Sequence, residues 1–171
     1  MRTKKQEPTT ETTTATAELL PKMRKEVRAL NDKATAVFLK LVEGLKWAED
    51  DSQRCKKFDN AKGSFQALHV EVIYGWSDGS LLVSLAHYGE CNGDLMKDPD
   101  MTFVVSPEKQ VYPCTYQNDW MGVFQSFMSK EADGLKVNNP RQYRDGCEFT
   151  ATWMDNIMWQ QGILLRLGSE A

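Results

Sequence analysis

From His69 to Tyr88 apolar and polar side chains alternate on either side of Asp78-Gly79, and no other feature constrains the fold as much. An Asp-Gly pair between two such runs signals a two-residue type I′ hairpin turn, in which both central residues take positive φ. With those two residues as the loop, Trp76 faces Leu81, Tyr74 faces Val83, Val72 faces Leu85 and Val70 faces His87. The large apolar side chains then share one face. The other face carries His69, Glu71 and Ile73 across from Tyr88, Ala86 and Ser84, the division expected of an antiparallel sheet covered on one side. A second hairpin follows, from Met101–Val105 through Ser106–Gln110 into Val111–Tyr116.

Flanking segments read as helices. Met23, Val27, Leu30, Ala34, Val37, Leu41 and Leu45 recur at steps of three or four behind Pro21, which predicts a long amphipathic helix with a break near Asn31-Asp32. Its stripe serves either as a cover for the chain's own sheet or as a homodimer seam through residues 21–48. Asn118 or Asp119 can cap a helix with Trp120, Val123, Phe124, Phe127 and Met128 inward, ending before Gly134. Residues 138–146 read as a loop. A last helix then turns Phe149, Trp153, Ile157, Met158 and Leu164 inward and stops at Gly168. The expected fold is therefore α+β: a long N-terminal helix, a four-stranded antiparallel meander and two C-terminal helices packed on one sheet face.

Residues 1–17 are rich in threonine and poor in apolar side chains, so they are expected to form a disordered tail. Residues 18–171 have the length of a single α+β domain. The composition, 41% hydrophobic and 26% charged, is that of a chain able to bury a core. No apolar run approaches the length of a membrane span, and no secretory h-region follows the first basic residues, so a cytoplasmic protein is expected. A net charge of −3 disfavours direct nucleic-acid binding by counterion release. Cys55, Cys91, Cys114 and Cys147 form no CxxC pair and read as reduced structural thiols.

No GxGxxG, P-loop, HExxH or GxSxG string occurs, and the hairpin register sends His69 and His87 to opposite faces. These observations give no catalytic residue, no metal site and no cofactor. The densest polar stretch runs from Tyr88 through Glu90, Asp94 and Asp98 to Asp100, with Asp119 beyond it. Carboxylates at such spacing suit a cation, acid/base work or a partner-facing patch, although Asn92-Gly93 and Asp98-Pro99 are also ordinary turn formers.

The strings His87-Tyr88, Asn92 to Phe103, Tyr112-Pro113 and Tyr116-Gln117-Asn118-Asp119 resemble an uncharacterised bacterial domain family of plasmid, conjugative-element and phage proteins, over roughly residues 65–130. The resemblance implies a mobile-element accessory protein and carries over no catalytic residue. The expected function is thus non-catalytic, by protein–protein interaction with a host or element-encoded protein, with inhibition of a host defence system as the expected role. His87, Tyr88, Glu90, Asp94, Asp98, Asp100 and Asp119 are the interaction or ligand candidates. The alternative is a small enzyme acting on a nucleotide or other small molecule, with His87, Asp94, Asp98 and Asp119 converging at one end of the sheet.

Overall fold

A computed structural model describes residues 27–60 and 63–165, so the Thr-rich segment and the start of the expected first helix lie outside the described residues. Among the described residues the chain is α+β, built on a six-stranded antiparallel sheet. Helices α1 (Asp32–Val42) and α2 (Asp51–Arg54) precede strands β1 (Cys55–Phe58), β2 (Leu68–Gly75), β3 (Leu81–Cys91), β4 (Asp94–Val105), β5 (Val111–Asn118) and β6 (Val123–Ser126). The strands pair in that order. A separate hairpin, β7 (Met128–Glu131) and β8 (Gly134–Val137), leads into helix α3 (Pro140–Gln160).

The expectation of four strands between one long and two shorter helices is therefore corrected in four places. The first helix begins at Asp32, because the Asn31 side chain accepts a hydrogen bond from Ala34 N and caps it there. Asn31-Asp32 is thus a start signal rather than a break. Residues 27–30 precede it without helix, and Leu30 N donates to the Val111 carbonyl. The charged connection contains strand β1, whose residues pair with β2 from Cys55↔Glu71 to Phe58↔Leu68.

The third correction concerns residues 118–137, which form strands rather than a helix. Asn118 does accept from Met121 N, as a cap would, but the chain reverses at Gly122, at φ +62°, and returns as β6 along β5. The i, i+3, i+4 pattern of Trp120, Val123 and Phe124 does not mark a buried helical stripe, since Trp120 and Phe124 are both exposed. Pairing with the open edge of β5 outweighed that local periodicity.

Finally, α3 takes in the stretch expected to be a loop. Asn139 caps it by accepting from Arg141 N and Gln142 N, and Pro140 occupies its first turn, where a missing N–H costs nothing. The helix ends at Gln160, with Gly162 at φ +63° beyond it, well before Gly168. Its buried side is Tyr143, Gly146, Thr150, Trp153, Met154 and Ile157, while Phe149 and Leu164 are exposed.

The hairpin register also differs from the expected one. Gly79 N donates to the Trp76 carbonyl and Trp76 N to the Ser80 carbonyl, so Gly79, at φ +85°, closes a loop of three residues, Ser77–Gly79. The extra loop residue slips the pairing by one, to Gly75↔Leu81 and Tyr74↔Leu82. A bulge at Ile73 slips it by one more, giving Val72↔Val83, Val70↔Leu85 and Leu68↔His87. Two slips restore the parity. Val70, Val72, Val83, Leu85 and His87 are buried while His69 and Glu71 are exposed, so the two histidines do lie on opposite faces. The type I′ pair is instead Asn92-Gly93, at φ +54° and +87°, between Cys91 and Asp94.

Helices α1 and α3 pack on the face of Val72, Leu85, Met101 and Phe103. Phe38 of α1 meets Phe103 edge to face at 4.8 Å, and Thr150 of α3 reaches the Met101 sulfur at 3.8 Å. Ala34, Val37, Phe38 and Leu41 of α1 are all buried there, so its stripe serves this chain's own core. Each large side chain so enclosed contributes about 1.5–3 kcal/mol. The four thiols are unpaired, and burial pushes Cys114 up to about 12.

Candidate interaction surface

The sheet face turned away from α1 and α3 is assembled by register from rows of residues directly opposite one another. One row runs Cys55, Glu71, Ser84, Thr102, Thr115 and Ser126 across all six strands. The next runs Lys57, His69, Ala86, Asp100, Gln117 and Phe124. A third sets Tyr88 opposite Lys97, and the hairpin beyond pairs Glu90 with Leu95. Period-two alternation is the reason one face receives all these polar residues.

Charges on this face are tied to one another. The Asp100 carboxylate accepts from Ser84 Oγ at 2.7 Å and pairs with Lys97 Nζ at 2.8 Å. Lys97 Nζ also donates to Gln117 Oε1 at 3.2 Å, and Gln117 Nε2 donates to Asp119 Oδ1 at 2.8 Å. Asp119 Oδ2 accepts from Lys97 N at 2.8 Å, which ties the β5–β6 turn to β4. Asp100 accordingly holds the Lys97 ammonium above its usual pKa, and the bonds from Lys97 N and Gln117 hold Asp119 below the usual carboxylate range. Burial and the neighbouring Asp100 charge raise the Tyr88 phenol, whose ring stands edge to face with His69 at 5.2 Å. Thr102 and Thr115 hydroxyls meet at 2.6 Å.

Two large apolar side chains stand in this polar field, Phe124 at 66% and Leu95 at 71% exposed. At the opposite end of the same face Val104 and Tyr112 are buried, and the β7–β8 hairpin is anchored nearby by Lys130, which pairs with Asp78 at 2.6 Å and lies over the Trp76 ring.

The sequence candidates divide into three groups. Tyr88, Asp100 and Asp119 belong to the network just described. Glu90 and Asp94 lie at the exposed end of the β3–β4 hairpin. His87 and Asp98 line a separate cleft with Trp153 of α3. There His87 Nδ1 lies 3.0 Å from the Ala67 carbonyl, its ring meets Trp153 edge to face at 5.7 Å, and Asp98 Oδ1 accepts from Asn118 Nδ2 at 3.0 Å. His87, Asp94, Asp98 and Asp119 therefore do not form one cluster. No group of three or more His, Cys, Asp or Glu placed to hold a metal ion occurs among the described residues.

Lys97, Gln117 and Phe124 were missed by sequence reasoning. A cue for Gln117 was its place beside Asp119 in the Tyr116–Asp119 string. Phe124 was hidden by its assignment to a helix.

A sequence profile of a family described as a domain of unknown function (DUF6908) matches residues 36–163. The chain belongs to this family. The DUF6908 match takes in the whole six-stranded sheet and α3, and so extends well beyond the 65–130 stretch that carried the resemblance. No curated protein and no solved structure matches the chain. Among the described residues no helix is long and apolar enough to cross a membrane.

Proposed function

We propose that this DUF6908 protein is a non-catalytic interaction protein that presents the sheet face turned away from α1 and α3 to a protein partner. The observation that carries the reading is the open polar face itself, with charges satisfied internally and with Phe124 and Leu95 left in water. Exposed aromatic and aliphatic anchors inside a polar rim are what protein interfaces use, because the anchors supply binding energy and the rim supplies orientation. A general acid–base pair is not assembled on this face, since His87 lies on the other side of the sheet and His69 meets the Tyr88 ring rather than a carboxylate among the described residues. The sequence strings around Asn92–Phe103 support the further reading that the protein is an accessory of a phage or plasmid, with a bacterial defence protein as partner.

The test is comparative affinity capture from a bacterial host with the full chain and with Phe124→Asp, alongside phage and plasmid challenge of cells making each. The expected result is one partner held by the native chain and lost, with protection, in the variant, while the stability of the variant stays within about 0.5 kcal/mol of the native chain's. A partner retained by Phe124→Asp would remove the sheet face from the reading, and unchanged phage and plasmid sensitivity with the native chain would remove the accessory role.

A further inference from the structure

The His87 cleft is unused by the interaction surface and has a chemistry of its own. It encloses about 330 Å³, at the small end of the range of ligand pockets. Trp153, Asn156 and Gln160 of α3 form one wall, at helical spacings that bring them to one side. Ser64, Phe65, Gln66, His87, Asp98 and Pro99 form the rest, with Phe65 held edge to face against Trp159 at 5.3 Å.

The Ala67 carbonyl can only accept, so the Nδ1 facing it carries the proton, and the neutral ring offers a lone pair at Nε2. Burial lowers the His87 pKa and keeps the ring in that neutral form. Asp98 has one oxygen committed to Asn118, and its other oxygen has no protein partner among the described residues. Asp98 is the one formal charge in the lining, which includes no lysine or arginine among the described residues.

We propose that this cleft is a binding site for a small planar cation of the amidinium or guanidinium type. A carboxylate oxygen and an imidazole lone pair are two acceptors, and a planar cation has divergent N–H donors to satisfy both. Trp153 and Phe65 supply the aromatic surface that such cations favour. The Asn156 and Gln160 amides complete a polar rim, whereas an anion would meet the Asp98 carboxylate with no compensating cation.

The experiment titrates the full chain with benzamidine, and with benzyl alcohol as an uncharged analogue of similar size, while nuclear magnetic resonance follows the His87 ring and the Trp153 indole. Saturable shifts at both residues are expected with benzamidine at a Kd of roughly 1 mM or below. Benzyl alcohol should give none, and Asp98→Asn should weaken benzamidine at least about tenfold, as expected when a charged partner is lost. Asn156→Lys, at an exposed helix position, adds a cation at the rim without disturbing the core and should weaken binding similarly. No saturable shift up to about 10 mM benzamidine, equal binding of benzyl alcohol, or benzamidine binding unchanged by Asn156→Lys would each overturn the assignment.

Discussion

Gly146 shows how one residue can fix the packing of two elements. A Cβ there would sit 2.7 Å from Phe127 Cε2 and 3.0 Å from its Cδ2, and Phe127 is itself 2% exposed, so a packed ring would have to shift. Alanine improves helix propensity by about 1 kcal/mol, but overpacking a closed core costs about 1–3 kcal/mol. Gly146→Ala is therefore expected to lower stability in urea unfolding, and to cost less in a Phe127→Leu background, because the smaller side chain leaves the Cβ its space. An alanine variant more stable than the native chain would show that the α3–Phe127 contact is loose. In the sequence Gly146 read only as the end of a loop. What makes glycine necessary is a ring nineteen positions earlier, and no local pattern contains that distance.

At the scale of elements, alternation was legible and pairing register was not. The sequence placed Val72 on the covered face and Glu71 on the open one, and both assignments hold because two one-residue slips, at the Ser77–Gly79 loop and at Ile73, cancel in parity. Val72→Asp should accordingly cost at least about 3 kcal/mol by burying an unpaired carboxylate, whereas Glu71→Ala should cost less than about 1 kcal/mol. Chemical denaturation of the two variants gives the comparison, and equal losses would contradict the parity. The 119–137 stretch failed for a different reason. Its apolar spacing fits a helix as well as strands, and the presence of an unpaired β5 edge decided between them. Asn139-Pro140 is a local helix-start signal, a cap followed by a residue suited to the first turn, but the reading of 138–146 as a loop passes over it.

For the whole molecule, one titration links the cleft to stability. The folded-state pKa of His87 lies below its ordinary value of 6.5, because burial beneath Trp153 disfavours the imidazolium. Between the two values the unfolded chain binds a proton that the fold does not. The His87 contribution is thus fully present above about pH 6.5 and is lost as pH falls toward the folded-state value. Melting midpoints measured at about pH 7.5 and 5.5 should fall on acidification, and the fall should be smaller in His87→Gln, which cannot take up that proton. An equal fall in both would assign the acid sensitivity to another group, His69 being the second histidine whose pKa burial lowers.

The sequence by itself determined that the chain mixes helix with antiparallel sheet, that one sheet face is apolar and the other polar, that His69 and His87 are separated, and that the strings beginning at His87 mark an uncharacterised family. Those properties follow from period, turn chemistry and side-chain type, all of which are local. Only the tertiary structure decided the number of strands, the register, the extent of α3 and the grouping of the candidates into an internally paired face, a hairpin end and a cleft. Each of those depends on which edges and faces remain unpaired after the rest of the chain has packed. That free energy belongs to contacts between residues far apart in sequence, as between Phe127 and Gly146 or between His87 and Trp153.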